Sequence, residues 1–280
     1  MRVFPAAVAF LLTIACGPTL AQEAANFGPT PTPLVIPETY KGVEIQLKVW
    51  VQTPGGAGPF ATVMLVSGCN GLDPPGWTHM QTWASWLMQL NYAVMIVDSF
   101  GPRGVTNTCD NGELVPGQLH AADLYTAAAY ISRFPQFQGR KIGAIGFSHG
   151  GWGILETASD RISGIAELRA SLAKEHIGIS ALVAMYPACH RHVRARFDVP
   201  LLIIIGENDD WTPAWACERL AAYPRLPGPD LRLKVYPRAF HVFDVEKPPR
   251  RYFGHELEYN AQATANAKRE IQDFFARHLQ

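Results

Sequence analysis

The chain has 280 residues, of which 48% are apolar and 17% are charged, so it can bury a substantial hydrophobic core. This composition excludes a disordered or collagen-like chain. The formal net charge is zero, which argues against a nucleic-acid partner or an anionic membrane surface. We therefore expect one globular domain, and a role in binding a charged polymer is disfavoured.

The N-terminal residues 1–21 have the pattern of a signal peptide. Arg2 precedes an apolar run over residues 3–15, and residues 19–21 (TLA) form a small-x-small cleavage pattern before Gln22. The apolar run is shorter than the ~20 residues that a membrane-spanning helix needs. The sequence thus predicts a periplasmic or secreted protein without a stable membrane span.

Lipidation is the alternative for this leader. Residues 13–16 (TIAC) faintly resemble a lipobox, in which Cys16 would be acylated. Thr13 stands where leucine is usual, so we favour the cleaved signal peptide.

Residues 22–39 are rich in Pro, Thr and Ala, which predicts an extended linker without a core of its own. The folded domain is expected over residues 40–280. In it, apolar runs typical of strands alternate with stretches typical of helices. The strand candidates are 43–51, 61–67, 93–98, 141–147, 180–186, 200–206 and 232–236. The helix candidates are 78–90, 119–133, 149–159, 213–222 and 261–278.

This alternation predicts an α/β fold with a mainly parallel sheet and helices on both faces. The chain has no internal repeat and no second composition regime, so we expect a single domain. In a sheet of this kind, functional groups gather at the carboxyl ends of the strands.

Residues 146–150 (GFSHG) form a G-x-S-x-G motif between a strand candidate and a helix candidate. In this context the motif predicts a nucleophile elbow, in which Gly146 and Gly150 allow close backbone approach and Ser148 is pushed into the cleft. The alternative is an ordinary Gly-Ser turn.

A serine nucleophile needs a base and a group that orients the base, in the chain order Ser, Asp or Glu, His. Asp209 and His241 each follow a later strand candidate and have this order. Glu207 and Asp210 are alternatives for the acid. We expect neither a metal nor a cofactor, because His190 and His192 lack further ligands at suitable spacing.

The tetrahedral intermediate needs an oxyanion hole made of backbone amides. The amide of His149, directly after the nucleophile, is the first candidate. The second is the amide of Cys69 in the Gly-rich segment 67–71, with Asn70 as the alternative.

Four cysteines remain after removal of the leader, and in an oxidising compartment disulfides are expected. The predicted fold brings Cys69 near Cys109, and Cys189 near Cys217, on neighbouring loops. We predict these two disulfides; four buried free thiols are the alternative.

These motifs together resemble the dienelactone hydrolase family of the α/β-hydrolase superfamily, over residues 42–278. The segments that carry the resemblance are 67–71 (SGCNG), 98–104 (DSFGPRG), 146–150 (GFSHG), 206–213 (GENDDWTP) and 239–243 (AFHVF). The resemblance implies an α/β-hydrolase fold and an elbow nucleophile with Asp and His, without a cofactor. The family's founding members have cysteine as nucleophile, where this chain has Ser148.

The sequence predicts an exported serine hydrolase that cleaves esters or lactones of small soluble substrates through an acyl-enzyme. A peptidase, a carbohydrate-ester hydrolase and a non-catalytic envelope binding protein are the alternatives, and the oligomeric state is left open. Candidate substrate contacts are Arg103 or an arginine of the basic run 190–196, together with Asn70 and Trp211. Further candidates for an aromatic pocket are Trp77, Phe100 and Trp152. The alternatives are a solvated charged loop for the arginines and packing in the core for the aromatic residues.

Overall fold

The computed structural model describes residues 32–159, 163–225 and 227–280, which form a sheet packed between helices. The strands are β1 (Leu34–Tyr40), β2 (Val43–Gln52), β3 (Thr62–Val66), β4 (Ala93–Asp98), β5 (Ile142–Phe147), β6 (Ile179–Met185), β7 (Leu201–Gly206), β8 (Leu231–Tyr236), β9 (Arg250–Tyr252) and β10 (His255–Leu257). The helices are α1 (Pro74–Gln89), α2 (Gly117–Ile131), α3 (His149–Ala158), α4 (Ser163–Lys174), α5 (Ala214–Ala222) and α6 (Ala261–His278).

Eight strands form the central sheet in the order β1-β2-β4-β3-β5-β6-β7-β8. The six strands from β4 to β8 run parallel, whereas β1 and β2 are antiparallel to their neighbours. The predicted α/β-hydrolase-like fold, with a mostly parallel sheet flanked by helices, is confirmed. Strands β3, β4, β5 and β7 are buried along their whole length, because helices cover both faces of the sheet.

The N-terminal boundary of the domain was predicted wrongly. Residues 34–39, placed in the linker 22–39, belong to edge strand β1, which pairs with β2 over its whole length. Leu34, Ile36 and Tyr40 are buried at alternate positions. Pro37 argued against a strand here, because proline cannot donate a backbone hydrogen bond. An edge strand tolerates proline, since it has no neighbour on one side. The predicted signal peptide 1–21 and Cys16 lie outside the described residues.

Two further features were not predicted from the sequence. Helix α4 lies in a segment of mixed character, and the hairpin β9–β10 has strands of three residues each, too short for a periodic signal. None of the helices in the described residues is both long and apolar enough to cross a bilayer.

Strand β1 is joined to helix α2 by a buried ionic cluster. Arg103 donates two hydrogen bonds to Asp123, at 2.9 and 2.7 Å, and lies 3.4 Å from Glu38 Oε1. Burial, and after it the charge of Asp123, raises the pKa of Glu38 to about 9. Glu38 therefore stays protonated in the folded protein at neutral pH.

We expect Glu38→Gln to stabilise the fold increasingly as the pH rises from about 4.5 to about 9. In this interval unfolded Glu38 loses a proton that the folded protein retains, so wild-type stability falls with pH, whereas glutamine does not ionise. The check is the Tm of both proteins at several pH values, with exposed Glu44→Gln as control. A Tm difference that stays constant with pH would contradict the assignment.

Candidate active site

Ser148 lies at the sharp turn between β5 and α3. Its φ of 51° and ψ of −107° are a strained conformation for a residue with a side chain. A Cβ on Gly146 would come within 2.2 Å of Gly150 O, and a Cβ on Gly150 within 2.5 Å of Ser67 O. Both positions of the motif therefore require glycine, and the turn has the geometry of a nucleophile elbow.

Three side chains from the ends of β5, β7 and β8 form a continuous hydrogen-bonded chain. Ser148 Oγ lies 2.9 Å from His241 Nε2, and His241 Nδ1 lies 2.7 Å from Asp209 Oδ2. His241 is 1% exposed and Asp209 is 4% exposed. Because a carboxylate only accepts hydrogen bonds, Asp209 holds the imidazole with its hydrogen on Nδ1, which leaves the lone pair of Nε2 toward the serine.

Asp209 is fixed by its own loop. Its Oδ1 accepts hydrogen bonds from the backbone amides of Trp211 and Thr212, at 3.0 and 2.8 Å. The Thr212 hydroxyl lies 2.9 Å from Asp209 Oδ2 and 3.0 Å from Tyr186 O. These contacts set the direction of the carboxylate toward His241.

The two alternative acids bind elsewhere. Glu207 accepts a hydrogen bond from the amide of Arg238 at 3.1 Å, and Asp210 accepts one from the amide of Glu256 at 3.3 Å. Of the three carboxylates in this loop, the structure brings Asp209 to the histidine.

The loop after β3 lies beside the nucleophile. A Cβ on Gly68 would lie 3.6 Å from Ser148 Cβ, and Gly150 N donates to Ser67 O at 3.1 Å. Cys69 O accepts a hydrogen bond from Thr108 N at 2.7 Å. The candidate oxyanion residues Cys69 and His149 therefore both lie next to Ser148.

Two disulfides support the loops around the site. Cys69 is bonded to Cys109, and Cys189 to Cys217, with Cα–Cα distances of 4.8 and 4.9 Å. These are the two pairs predicted from the sequence. The first joins the loop after β3 to the segment before α2, and the second joins the loop after β6 to α5.

A cavity of about 220 Å³ opens in front of Ser148. Asn70 and Trp211, both predicted substrate contacts, lie in its wall. The amide of Asn70 donates to Asp73 Oδ1 at 2.7 Å, and Trp211 stacks on His255 at a ring distance of 4.5 Å. The apolar part of the wall consists of Phe147, Tyr186, Val242, Val245 and Leu257.

A second, more open groove of about 320 Å³ lies on the other side of Ser148. Trp152 and Arg191 line it, with the guanidinium of Arg191 4.7 Å from the Trp152 ring centre. Arg191 also pairs with Glu113 at 2.5 Å. One arginine of the basic run, Arg191, thus lies in the same groove as the nucleophile, and Glu113 already binds it.

The prediction that Arg103 contacts the substrate is wrong. Its guanidinium is held by Asp123 and Glu38, and it lines a different cavity together with Tyr40. A guanidinium buried between two acids is not available to a ligand at Ser148. Phe100 and Trp77 also lie outside the wall of the cavity in front of Ser148: Phe100 is buried against His120 and His149, and Trp77 packs on Trp50.

Sequence reasoning missed two residues of this region. His79, placed on a helix with no function assigned, lines the cavity, and its Nε2 lies 2.7 Å from Asp244 Oδ2. Asp244 lies 165 residues after His79, and no local pattern in the sequence links the two. Burial alone would raise the pKa of Asp244, but the charge of His79 and the hydrogen bonds that Asp244 accepts hold it below its usual value.

The side chain of His149 connects the nucleophile turn to α2 and to the loop before it. Its Nδ1 lies 2.9 Å from His120 Nε2, and its Nε2 lies 3.0 Å from Gly112 O. Burial is the largest cause that lowers the pKa of both histidines. Two neutral rings therefore pack between the elbow and the loop that precedes α2.

In the part of the chain that the structure describes, no group of three or more His, Cys, Asp and Glu side chains is arranged to hold a metal ion. His192, half of the pair considered from the sequence, instead lies 3.2 Å from Glu156.

Comparison with known proteins shows the family of this chain. The profile of the dienelactone hydrolase family matches residues 47–279. One relative is a curated protein from Methylorubrum extorquens, provisionally named carboxymethylenebutenolidase. It is 23% identical to this chain, over 80% of this chain and 75% of its own length.

Two crystal structures share the fold. The dienelactone hydrolase from Anabaena variabilis aligns with a TM-score of 0.61 at 20% identity, over 89% of this chain and 99% of that chain. A Xanthomonas campestris protein, described as an α/β serine hydrolase without a lid, aligns with a TM-score of 0.58 at 17% identity, over 89% and 94%. The family profile covers most of the sequence, and the chain therefore belongs to the dienelactone hydrolase family and is a hydrolase of ester bonds.

Proposed function

We propose that this protein is a serine hydrolase that cleaves esters or lactones of small substrates through an acyl-enzyme intermediate. The observation that carries the proposal is the hydrogen-bonded chain from Ser148 Oγ through His241 to Asp209, with the serine on a strained elbow. A binding protein has no need for a base and an orienting acid beside a strained serine.

In the proposed reaction, Ser148 Oγ attacks the ester carbonyl while His241 Nε2 takes its proton. The imidazolium that forms is stabilised by Asp209. His241 then returns the proton to the departing alkoxide, and a water molecule hydrolyses the acyl-enzyme by the same two steps. In a lactone, the leaving oxygen stays tethered to the acyl group, so hydrolysis of the acyl-enzyme releases a single hydroxy acid.

The oxyanion of each tetrahedral intermediate needs backbone donors. We assign this role to the amide of His149, at the first position of α3, and to the amide of Cys69 in the adjacent loop. The N-terminal end of a helix also favours a negative charge, which supports the choice of His149. The disulfide Cys69–Cys109 holds the second donor in place.

The cavity supports a small acyl group. Its volume of about 220 Å³ lies below the ~300–1,000 Å³ that is usual for drug-sized ligands. The wall near Ser148 is apolar and aromatic, and Asn70 and Trp211 lie at its polar side. We propose these two residues as substrate contacts.

Labelling with a fluorophosphonate probe tests the proposed nucleophile. Such probes phosphonylate an activated serine, so intact-mass spectrometry should show one adduct, and peptide mapping should locate it at Ser148. The Ser148→Ala variant should stay unlabelled. Failure of the wild-type protein to form an adduct would overturn the proposal and favour a binding function.

We also propose that the protein is exported. The two disulfides suit an oxidising compartment, and residues 1–21 have the pattern of a cleavable leader. When the full chain is expressed in a Gram-negative host, the periplasmic fraction should contain a protein whose intact mass begins at Gln22. An uncleaved chain confined to the cytoplasm would contradict export.

A further inference from the structure

A second aspartate–histidine pair lies in the cavity that contains Ser148. The carboxylate of Asp244 is fully buried and accepts three hydrogen bonds. Its Oδ2 accepts from His79 Nε2 at 2.7 Å and from Trp83 Nε1 at 2.8 Å, and its Oδ1 accepts from Tyr186 Oη at 2.8 Å. The network therefore joins residues of α1, of the loop after β6 and of the loop that carries His241.

This network determines which nitrogen of His79 is available. Because Asp244 accepts but cannot donate, the hydrogen belongs on Nε2 of His79, 2.7 Å from the carboxylate. Trp83 Nε1 lies 3.1 Å from the same nitrogen, and with Nε2 protonated its N–H donates to Asp244 Oδ2, at 2.8 Å. Within the described part of the chain, Nδ1 of His79 makes no hydrogen bond. The side chain is 13% exposed and lines the cavity, so Nδ1 is left for a ligand there.

The part of the cavity around His79 is mainly apolar. Phe147 packs against its ring at 4.6 Å, and the neighbouring wall is apolar. The charged groups of the cavity are Asp73, which accepts from Asn70 and from Gly76 N, and Lys247 and Arg250 near the opening. An acyl group beside His79 therefore meets an imidazole next to the apolar part of the wall.

A hydroxyl group matches Nδ1 of His79 in either protonation state of the ring. It can donate to the lone pair of a neutral Nδ1 or accept from Nδ1–H of the imidazolium. An ether can only accept, and a hydrocarbon leaves the nitrogen without a partner, which is costly once the bound substrate displaces water from it.

We propose that His79 is a specificity-determining residue that hydrogen-bonds a hydroxyl group on the acyl part of the substrate, which makes hydroxy-acid esters the preferred class. Asp244 is the positioning residue that sets the tautomer and direction of the ring. This inference deepens the proposed serine-hydrolase function and depends on it.

The test compares methyl esters that differ in one substituent. The panel pairs methyl 3-hydroxybutyrate with methyl butyrate, and the three methyl hydroxybenzoates with methyl benzoate and the methyl methoxybenzoates. For at least one hydroxylated ester, the ratio of its kcat/KM to that of its parent should fall about tenfold in His79→Asn relative to wild type, the size of one hydrogen bond to a substrate. Comparing ratios between proteins cancels the intrinsic reactivity of each ester.

The controls separate this role from a structural one. His176→Asn replaces an exposed histidine after α4 and should keep the wild-type ratios. In His79→Asn, the loss of kcat/KM on the hydroxylated ester should exceed any loss on its parent ester, and the fluorophosphonate should still label Ser148. An equal loss on all esters would show that His79 only supports the fold, and would overturn the inference while leaving the proposed nucleophile intact.

Two outcomes do not depend on how well His79→Asn folds. A wild-type enzyme whose kcat/KM ratios show no preference for any hydroxylated ester overturns the inference directly. If the asparagine variant does not fold, ¹⁵N-histidine NMR of Ser148→Ala provides the second measurement. A shift of the His79 Nδ1 resonance with the preferred hydroxylated ester supports the contact, and an unchanged resonance at saturation refutes it.

Absence of fluorophosphonate labelling in wild type would instead be a failure of the proposed function.

Discussion

Replacing Ser148 with alanine is expected to lower kcat for a short-chain aryl ester by about 10⁶-fold, the loss seen when a hydrolase loses its nucleophile. The reason is that no other hydroxyl lies within hydrogen-bond distance of His241 Nε2 in the described structure, so the acyl-enzyme cannot form. The Thr212 hydroxyl lies on the opposite side of the ring, 3.2 Å from Nδ1. The measurement is steady-state hydrolysis, with contaminating esterase excluded by comparing independent preparations.

The control for this loss is Ser171→Ala. Ser171 is exposed on α4, away from both cavities, so its removal should leave kcat and KM unchanged. Folding of the Ser148→Ala protein is checked by its Tm. Hydrolysis by Ser148→Ala at the wild-type rate would remove the assigned nucleophile and with it the mechanism.

Replacing Asp209 with asparagine is expected to lower kcat by about 10⁴-fold while the fold is retained. The amide oxygen can still accept from the backbone amides of Trp211 and Thr212, so the side chain should keep its place. Its NH₂ group would then donate to His241 Nδ1 and stabilise the tautomer that carries its hydrogen on Nε2. That tautomer has no lone pair for the proton of Ser148.

The matched variants for this prediction are Glu207→Gln and Asp210→Asn, because they make the same chemical change in the same loop. Their carboxylates bind the amides of Arg238 and Glu256 and do not contact His241. We expect both to keep kcat within about threefold of wild type, as for surface groups away from the chemistry. A large loss in either variant, with a small one in Asp209→Asn, would move the orienting role to that acid.

Some parts of the candidate active site arise from local sequence features, and others arise from contacts between residues distant in the chain. The elbow is local: it needs only a buried strand, two glycines and a following helix, and all of these are adjacent in residues 142–158. For this reason the sequence was sufficient to identify Ser148 as the candidate nucleophile. The order of Asp209 and His241 along the chain was also readable, because each follows a buried strand.

Contacts between distant side chains decided the rest. Arg103 follows a strand end and was predicted to contact a substrate, but it is enclosed by Asp123 and Glu38, which lie 20 and 65 residues away in the chain. His79 looked like an ordinary helical residue until Asp244, 165 residues further on, gave it a partner in the cavity. Neither pairing leaves a periodic or local pattern in the sequence.

By itself, the sequence determined the α/β alternation, the strands buried on both faces and the elbow serine. These depend on hydrophobic periodicity, glycine sterics and the order of elements, which act over a few residues. Only the tertiary structure decided that β1 completes the sheet, which acid faces His241, and which polar groups reach the cavity. Those outcomes depend on how packed elements direct side chains toward one another, a property of the whole fold and not of any one segment.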